Sequence, residues 1–145
     1  MKEQTLNRIL LIEDNAGDVR LTEEALKEMN LSVHLDSVDD GMTALDFLRR
    51  QGKWKEALRP DLILLDLNLP RKKGQELLAE IKIDSNLRRI PIVIMTSSKA
   101  PQEIGLCYDL QASCCIQKPV QFEEFLKLVK EICHFWFQVV TLPSR

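Results

Sequence analysis

Five short aliphatic runs, each followed by an amphipathic stretch, constrain this chain more than any other feature. The runs at 8–12, 31–38, 62–65, 91–95 and 113–117 read as strands, and the stretches at 16–29, 41–51, 74–82, 100–110 and 121–137 read as helices. Leu62-Ile63-Leu64-Leu65 has no polar alternation, as expected of a strand covered on both faces. Between the runs, Val19, Leu21, Ala25, Leu26 and Met29, and later Leu77, Leu78 and Ile81, recur near helical spacing. Gly52 sits where a helix C-cap is expected, and Pro101 suits a first helical turn. Strict alternation of strand and helix implies an α/β domain, a single doubly wound five-stranded parallel sheet with five helices on its two faces. In open sheets of this kind, ligands sit at the carboxyl ends of the strands, near the switch in strand order.

Composition narrows the class. The 145 residues are enough for one domain with a real core, and 45% hydrophobic content argues against disorder. Twenty Lys and Arg against 22 Asp and Glu leave a formal charge of -2, without the basic excess of a nucleic-acid binder. The apolar runs are too short to span a bilayer and the N-terminal stretch is polar, so a cytoplasmic protein is expected. Cys107, Cys114, Cys115 and Cys133 show no CxxC spacing and only two histidines accompany them, so they read as reduced packing residues.

The residues that follow the strands carry the chemistry. Glu13, Asp14 and Asn15 follow the first, Asp66 and Asn68 the third, Thr96, Ser97 and Ser98 the fourth, and Lys118-Pro119 the fifth. Taken singly, each is an ordinary turn or cap residue. Together, three carboxylates, a hydroxyl and an ammonium would meet at one sheet edge. Carboxylates that close repel one another and need positive charge. Mg2+, which prefers oxygen ligands and often keeps waters and a phosphate, fits Glu13, Asp14, Asp66 and the carbonyl of Asn68, while Lys118 adds a fixed charge. Such a set can neutralise a transferring phosphoryl group, with Asp66 as the nucleophile and Thr96 donating to a phosphoryl oxygen. Asp39, Asp40, Asp61 and Asp84 lack this placement and read as solvated turn residues.

Leu10-Leu11-Ile12-Glu13-Asp14, the Pro60–Pro70 stretch through Asp66, Gly74, Ile92-Val93-Ile94-Met95-Thr96 and Lys118-Pro119 form an ordered set spanning residues 8 to about 132. In this the chain resembles the response-regulator receiver domains of two-component signalling. The resemblance implies a flavodoxin-like fold with strand order 2-1-3-4-5 and a phosphoryl group passed to Asp66 from a sensor histidine kinase. It implies metal binding by Asp14 directly and by Glu13 through water, phosphoryl contacts from Thr96 and Lys118, and a cis Lys118–Pro119 bond. It also implies a protein that catalyses only its own phosphorylation and dephosphorylation. Members often carry an aromatic switch residue three positions before the lysine, where this chain has Cys115. The 52–56 insertion, the run from Leu65 and the ending from Phe135 further resemble the stand-alone regulators of cyanobacterial phytochromes, which implies a phytochrome kinase as partner and a homodimer.

Three other readings share the fold. A phosphatase with an aspartyl nucleophile usually has a second Asp two residues on, where this chain has Asn68. A flavodoxin-like cofactor binder needs a phosphate loop after the first strand, where Glu13-Asp14 would repel a phosphate. A receiver without phosphorylation would not need the acidic set. Past the expected end of a receiver, residues 134–145 form an apolar extension. Its Phe135, Trp136, Phe137, Val139, Val140 and Leu142, with the last helix, are expected to join two copies, or alternatively to fold back on their own domain. No DNA-binding or enzymatic output domain is expected to follow, so output would run through protein contacts.

Overall fold

The computed structural model describes residues 6–144. Five strands, β1 (Asn7–Ile12), β2 (Val33–Val38), β3 (Leu62–Asp66), β4 (Ile92–Thr96) and β5 (Cys114–Gln117), form one parallel sheet in the order β2-β1-β3-β4-β5. Five helices connect and cover them: α1 (Ala16–Glu28), α2 (Gly41–Arg49), α3 (Gly74–Ile83), α4 (Pro101–Asp109) and α5 (Phe122–His134). The expected doubly wound topology is therefore the one observed.

Alternation along the strands divides the core into two layers. Leu10, Ile12, Ile63, Leu65, Ile92 and Ile94 face α2, α3 and α4, where they meet Phe47, Leu77, Leu78 and Ile81. Ile9, Leu11, Leu62, Leu64, Val93 and Met95 face α1 and α5, where they meet Ala25, Phe125, Val129 and Ile132. All five residues of β3 and of β4 are buried, which accounts for the unbroken apolar run that marked β3 in the sequence. Cys107 and Cys133 fill space in these layers, and burial pushes their thiols up to about 11 and about 12, so they stay protonated and inert.

Local chemistry sets the helix ends that matter for the site. The Asn15 side chain accepts from the Asp18 N–H and starts α1, which leaves Glu13 and Asp14 free of capping duty. Asp40 starts α2 by accepting from the Thr43 N–H at 2.8 Å and from its hydroxyl at 2.9 Å. Asp40 is 7% exposed, and Asp61 accepts from the Arg8 N–H, so neither is the solvated turn residue its sequence context suggested. The end of α2 also differs from expectation. The left-handed cap residue is Arg50 (φ 54), and Gly52 (φ 60) opens a separate turn, Gly52–Trp54, that sets Trp54 against Phe47 with ring centroids 5.1 Å apart.

Beyond α5, the chain widens into a π-helical turn, Phe135–Val139, where a continuous α-helix was expected to 137. Here the fold-back alternative holds in part. Trp136 and Phe137 are half-buried against the α1–α5 layer, whereas Phe135 and Val139 stay exposed. Phe135 meets Trp136 edge-on at 5.4 Å.

Candidate phosphoryl-acceptor site

At the carboxyl edge of the sheet, β1 and β3 lie side by side with Ile12 opposite Leu65, so Glu13 and Asp66 emerge next to each other. The Glu13 N–H donates to the Val38 carbonyl at 3.0 Å and carries the β1 ladder one residue further. Oxygen atoms of Glu13, Asp14 and Asp66 all lie within 4.8 Å of one another. Glu13 and Asp66 are buried and Asp14 is exposed at the rim. Hard oxygen donors at that mutual spacing, open to water on one side, suit a divalent cation that keeps part of its hydration shell.

Lys118 closes the floor. Its Nζ donates to Glu13 Oε2 at 2.6 Å, to Asp18 Oδ2 at 2.9 Å and to Asp66 Oδ2 at 2.9 Å. Burial pushes the ammonium's pKa down, but the three hydrogen bonds it donates to Glu13, Asp18 and Asp66 outweigh this and hold the group charged. Burial, the Lys118 bond and the proximity of Asp66 act together on Glu13. Desolvation dominates, and its carboxyl is pushed up to about 7. Asp66 is fixed at both oxygens, since its Oδ1 accepts from the Asn68 N–H at 3.0 Å. Asn68 itself is exposed and lines the open cleft with Glu13, Asp14, Asp18, Ser97 and Lys118. The cleft encloses about 410 Å³.

Thr96 ends β4 with 1% exposure, and its Oγ1 accepts from the Ser98 N–H at 3.0 Å. The Thr96 carbonyl accepts from the Lys118 N–H at 2.8 Å, so β4 and β5 deliver these two residues as a pair. Thr96 does not line the cleft; the adjacent Ser97 does. No peptide bond among the described residues is cis, so the Lys118–Pro119 bond is trans, against expectation. The two isomers of a bond before proline differ by only about 0.5–1 kcal/mol, which local packing decides. Cys115, at the position of the absent aromatic switch, donates its N–H to the hydroxyl of Tyr108, which reaches across from α4 at 3.1 Å.

One member of the site was not foreseen. Asp18 lies in the first turn of α1, and because helical side chains lean toward the N-terminus it reaches back over the sheet edge to Lys118. Glycine 74 was foreseen only as part of a pattern. An added Cβ there would lie 2.6 Å from Leu67 Cα and 2.7 Å from the Asp66 carbonyl oxygen. α3 can therefore start against the Asp66 turn only because residue 74 has no side chain.

Known proteins resemble this chain over most of its length. The model of the response regulator receiver domain matches residues 9–130. Response regulator Rcp1 of Synechocystis sp. is 43% identical over 136 residues, 94% of this chain and 92% of that protein. A probable methanogenesis regulatory protein, FilR2 of Methanothrix harundinacea, is 34% identical over 88% of this chain and 82% of its own length. Among solved structures, the phosphorylated cyanobacterial phytochrome response regulator RcpA superposes with a TM-score of 0.93 at 45% identity, covering 97% of this chain and all of that one. The Mn2+-bound form of Rcp1 superposes with a TM-score of 0.91 at 42% identity, covering 95% and 99%. A lysine-anchored aspartate in an acidic cleft, on a 2-1-3-4-5 sheet matched over nearly its whole length, places this chain in the response regulator receiver domain family of two-component signalling.

Proposed function

We propose that this chain is a stand-alone, cytoplasmic response regulator, one receiver domain with an apolar extension at 134–145. It takes a phosphoryl group on Asp66 from a sensor histidine kinase and signals through protein contacts. The observation that carries this reading is Asp66 itself, 7% exposed and 2.9 Å from the Lys118 ammonium at the base of an open acidic cleft. Asp66 attacks phosphorus, the P–N bond to the kinase histidine breaks, and the imidazole leaves as the neutral base once it takes up a proton. Lys118 stands beside the acceptor oxygen, where charge arrives. The Asn68 N–H orients the other oxygen. Glu13, Asp14, Asp66 and the Asn68 carbonyl are the groups that would hold Mg2+, which supplies Lewis-acid neutralisation of the phosphoryl oxygens. Likeness to the Mn2+-bound Rcp1 structure supports a divalent metal here. Asn68, standing two residues after Asp66, offers no second carboxylate for turnover of external substrates, so the chain catalyses only its own phosphorylation and dephosphorylation.

The 45% identity to the phytochrome response regulator RcpA supports a phytochrome as the kinase. For output, phosphorylation biases two arrangements of the chain by fitting one better than the other. Thr96 couples to the phosphoryl group, and Tyr108, tied to the Cys115 N–H, takes the aromatic position near β5. We infer a homodimer built on α5 and the extension. Phe135 and Val139 supply exposed apolar surface, and Trp136 and Phe137 brace them from within the domain. Transfer of labelled phosphate from a purified phosphohistidine kinase to the wild type, with none to Asp66→Asn, is the expected outcome. Equal labelling of both would remove Asp66 as the acceptor.

A further inference from the structure

Opposite the acidic cleft, the amino edge of the sheet carries the reverse charge. Two adjoining concavities of about 590 and 280 Å³ share Arg59, Pro60 and Asn86. Arg8, Arg49, Arg50, Arg59, Arg88 and Arg89 line them; among the described residues no lysine does, and only Asp61 and Asp84 stand in opposition. Arg49 approaches Asp84 at 3.7 Å, and Arg59 donates to the Asn86 carbonyl. Among the described residues, Arg50, Arg88 and Arg89 have no carboxylate within ion-pair distance, and all three are exposed.

A bland cause covers part of this. Arg49 and Arg50 sit at the end of α2, where the helix dipole favours cations. That cause does not reach Arg8 at the start of β1, Arg59 before β3, or Arg88 and Arg89 before β4. Nor does it explain why an arginine occupies the left-handed position at 50, which a glycine would take without the cost of a Cβ. In a chain of net charge -2, arginines from four segments gather at one pole.

We propose that this pole binds an acidic, amphipathic peptide segment of a partner protein. The chemistry of the lining selects that occupant. Planar guanidinium groups pair with carboxylates in a forked geometry that lysine does not offer. The floor is apolar, from Phe47, Leu48 and Leu87, with Leu58 exposed at its side, so the segment carries an aliphatic side chain among its carboxylates. That apolar floor favours a peptide side chain over the polar phosphodiester backbone of a duplex. The pole and Asp66 stand at opposite ends of β3, about 17 Å apart at the rise of a strand. Both can therefore be engaged at once, and the proposal does not depend on phosphoryl acceptance.

Fluorescence anisotropy of a short fluorescein-labelled peptide of alternating Glu and Leu, titrated with the full chain, tests this. The Glu peptide is expected to bind and to weaken as salt rises, and its Gln analogue is expected not to bind. Arg50→Gln/Arg88→Gln/Arg89→Gln is expected to weaken binding roughly tenfold, the sum of a few exposed ion pairs. Leu58→Ser weakens it by another route, and Asp66→Asn leaves it unchanged. All substituted arginines are exposed, so the triple variant is expected to keep its far-ultraviolet circular dichroism. No binding of the Glu peptide, equal binding of the Gln analogue, or indifference to both sets of substitutions would overturn the proposal. So would tighter, arginine-dependent binding of a labelled DNA duplex or of anionic vesicles.

Discussion

The Lys118 ammonium lies 2.9 Å from the Asp66 carboxylate and 2.6 Å from that of Glu13, with side-chain exposures of 12%, 8% and 3%. One cation thus holds together carboxylates that would otherwise repel across the sheet edge, with Asp18 as a third partner. Replacing Lys118 with Met leaves these acids without their fixed counter-charge. The variant is expected to lose about 1–3 kcal/mol of stability at neutral pH, with part of that restored by millimolar Mg2+. Its rate of phosphorylation is expected to fall by about 10²-fold or more. Thermal melts with and without Mg2+, beside phosphorylation kinetics, check both. A variant as stable as the wild type without metal would contradict the role given to Lys118.

Glu13 sets a pH dependence. Burial pushes its carboxyl up from 4.5 to about 7, so between these values the folded chain binds a proton that the unfolded chain has released. Stability from this group is therefore full below about pH 4.5 and declines as pH rises through 7. Lys118, held charged well above its ordinary range, is protonated in both states across that window and adds no slope there. Urea unfolding from pH 5 to 8 is expected to show a decline in the wild type that Glu13→Gln lacks, of the order of 1–3 kcal/mol. Divalent metal affinity is expected to rise over the same range, because metal and proton compete for Glu13. Parallel profiles for the two proteins would refute this.

Gly74→Ala tests how the Asp66 turn is held. Alanine is the better helix former by about 0.5–1 kcal/mol, yet its Cβ would lie 2.6 Å from Leu67 Cα, a backbone atom that cannot swing aside. Overpacking of this kind costs about 1–3 kcal/mol. The midpoint of thermal unfolding is expected to drop by roughly 3–10 °C. An unchanged or higher midpoint would show that the turn yields freely.

The extension should separate into two functions. Phe135 and Val139 are 49% and 60% exposed, whereas Trp136 packs on its own core. Phe135→Ala/Val139→Ser is expected to halve the mass found by light scattering while leaving the melting midpoint of the monomer nearly in place. Trp136→Ala is expected to lower stability by about 3 kcal/mol or less, since the ring is only half-buried. A mass unchanged by the first pair would count against a dimer built on this segment.

The sheet was legible in the sequence because every central strand is buried on both faces and leaves an unbroken aliphatic run, as at Leu62–Leu65 and Ile92–Met95. The site was legible for a different reason: a parallel sheet places the residue after each strand at the same edge, so Glu13, Asp14, Asp66 and Lys118 could be brought together before any distance was known. What escaped depends on side-chain direction or on competition between near-equal states. In sequence Asp18 is one more acid on an amphipathic helix, like Glu23, Glu24 and Glu28; only the fold brings Lys118, just after β5, to the first turn of α1. Asp40 looked like a surface turn residue because its burial comes from the approach of the loop after β3, whose Lys72 carbonyl would lie 2.5 Å from a Cβ at Gly41. The left-handed cap fell on Arg50 rather than Gly52, although each has positive φ. The aromatic tail offered two burial partners, its own domain or a second copy, and hydrophobicity alone does not choose between them.

Intact-mass spectrometry after incubation with acetyl phosphate and Mg2+ tests the central claim most directly. The expected result is one hydroxylamine-labile phosphoryl adduct per chain in the wild type, none in Asp66→Asn, and none when Mg2+ is withheld. An adduct that persists in Asp66→Asn, or no adduct in the wild type under conditions that label a second receiver domain, would contradict phosphoryl acceptance at Asp66.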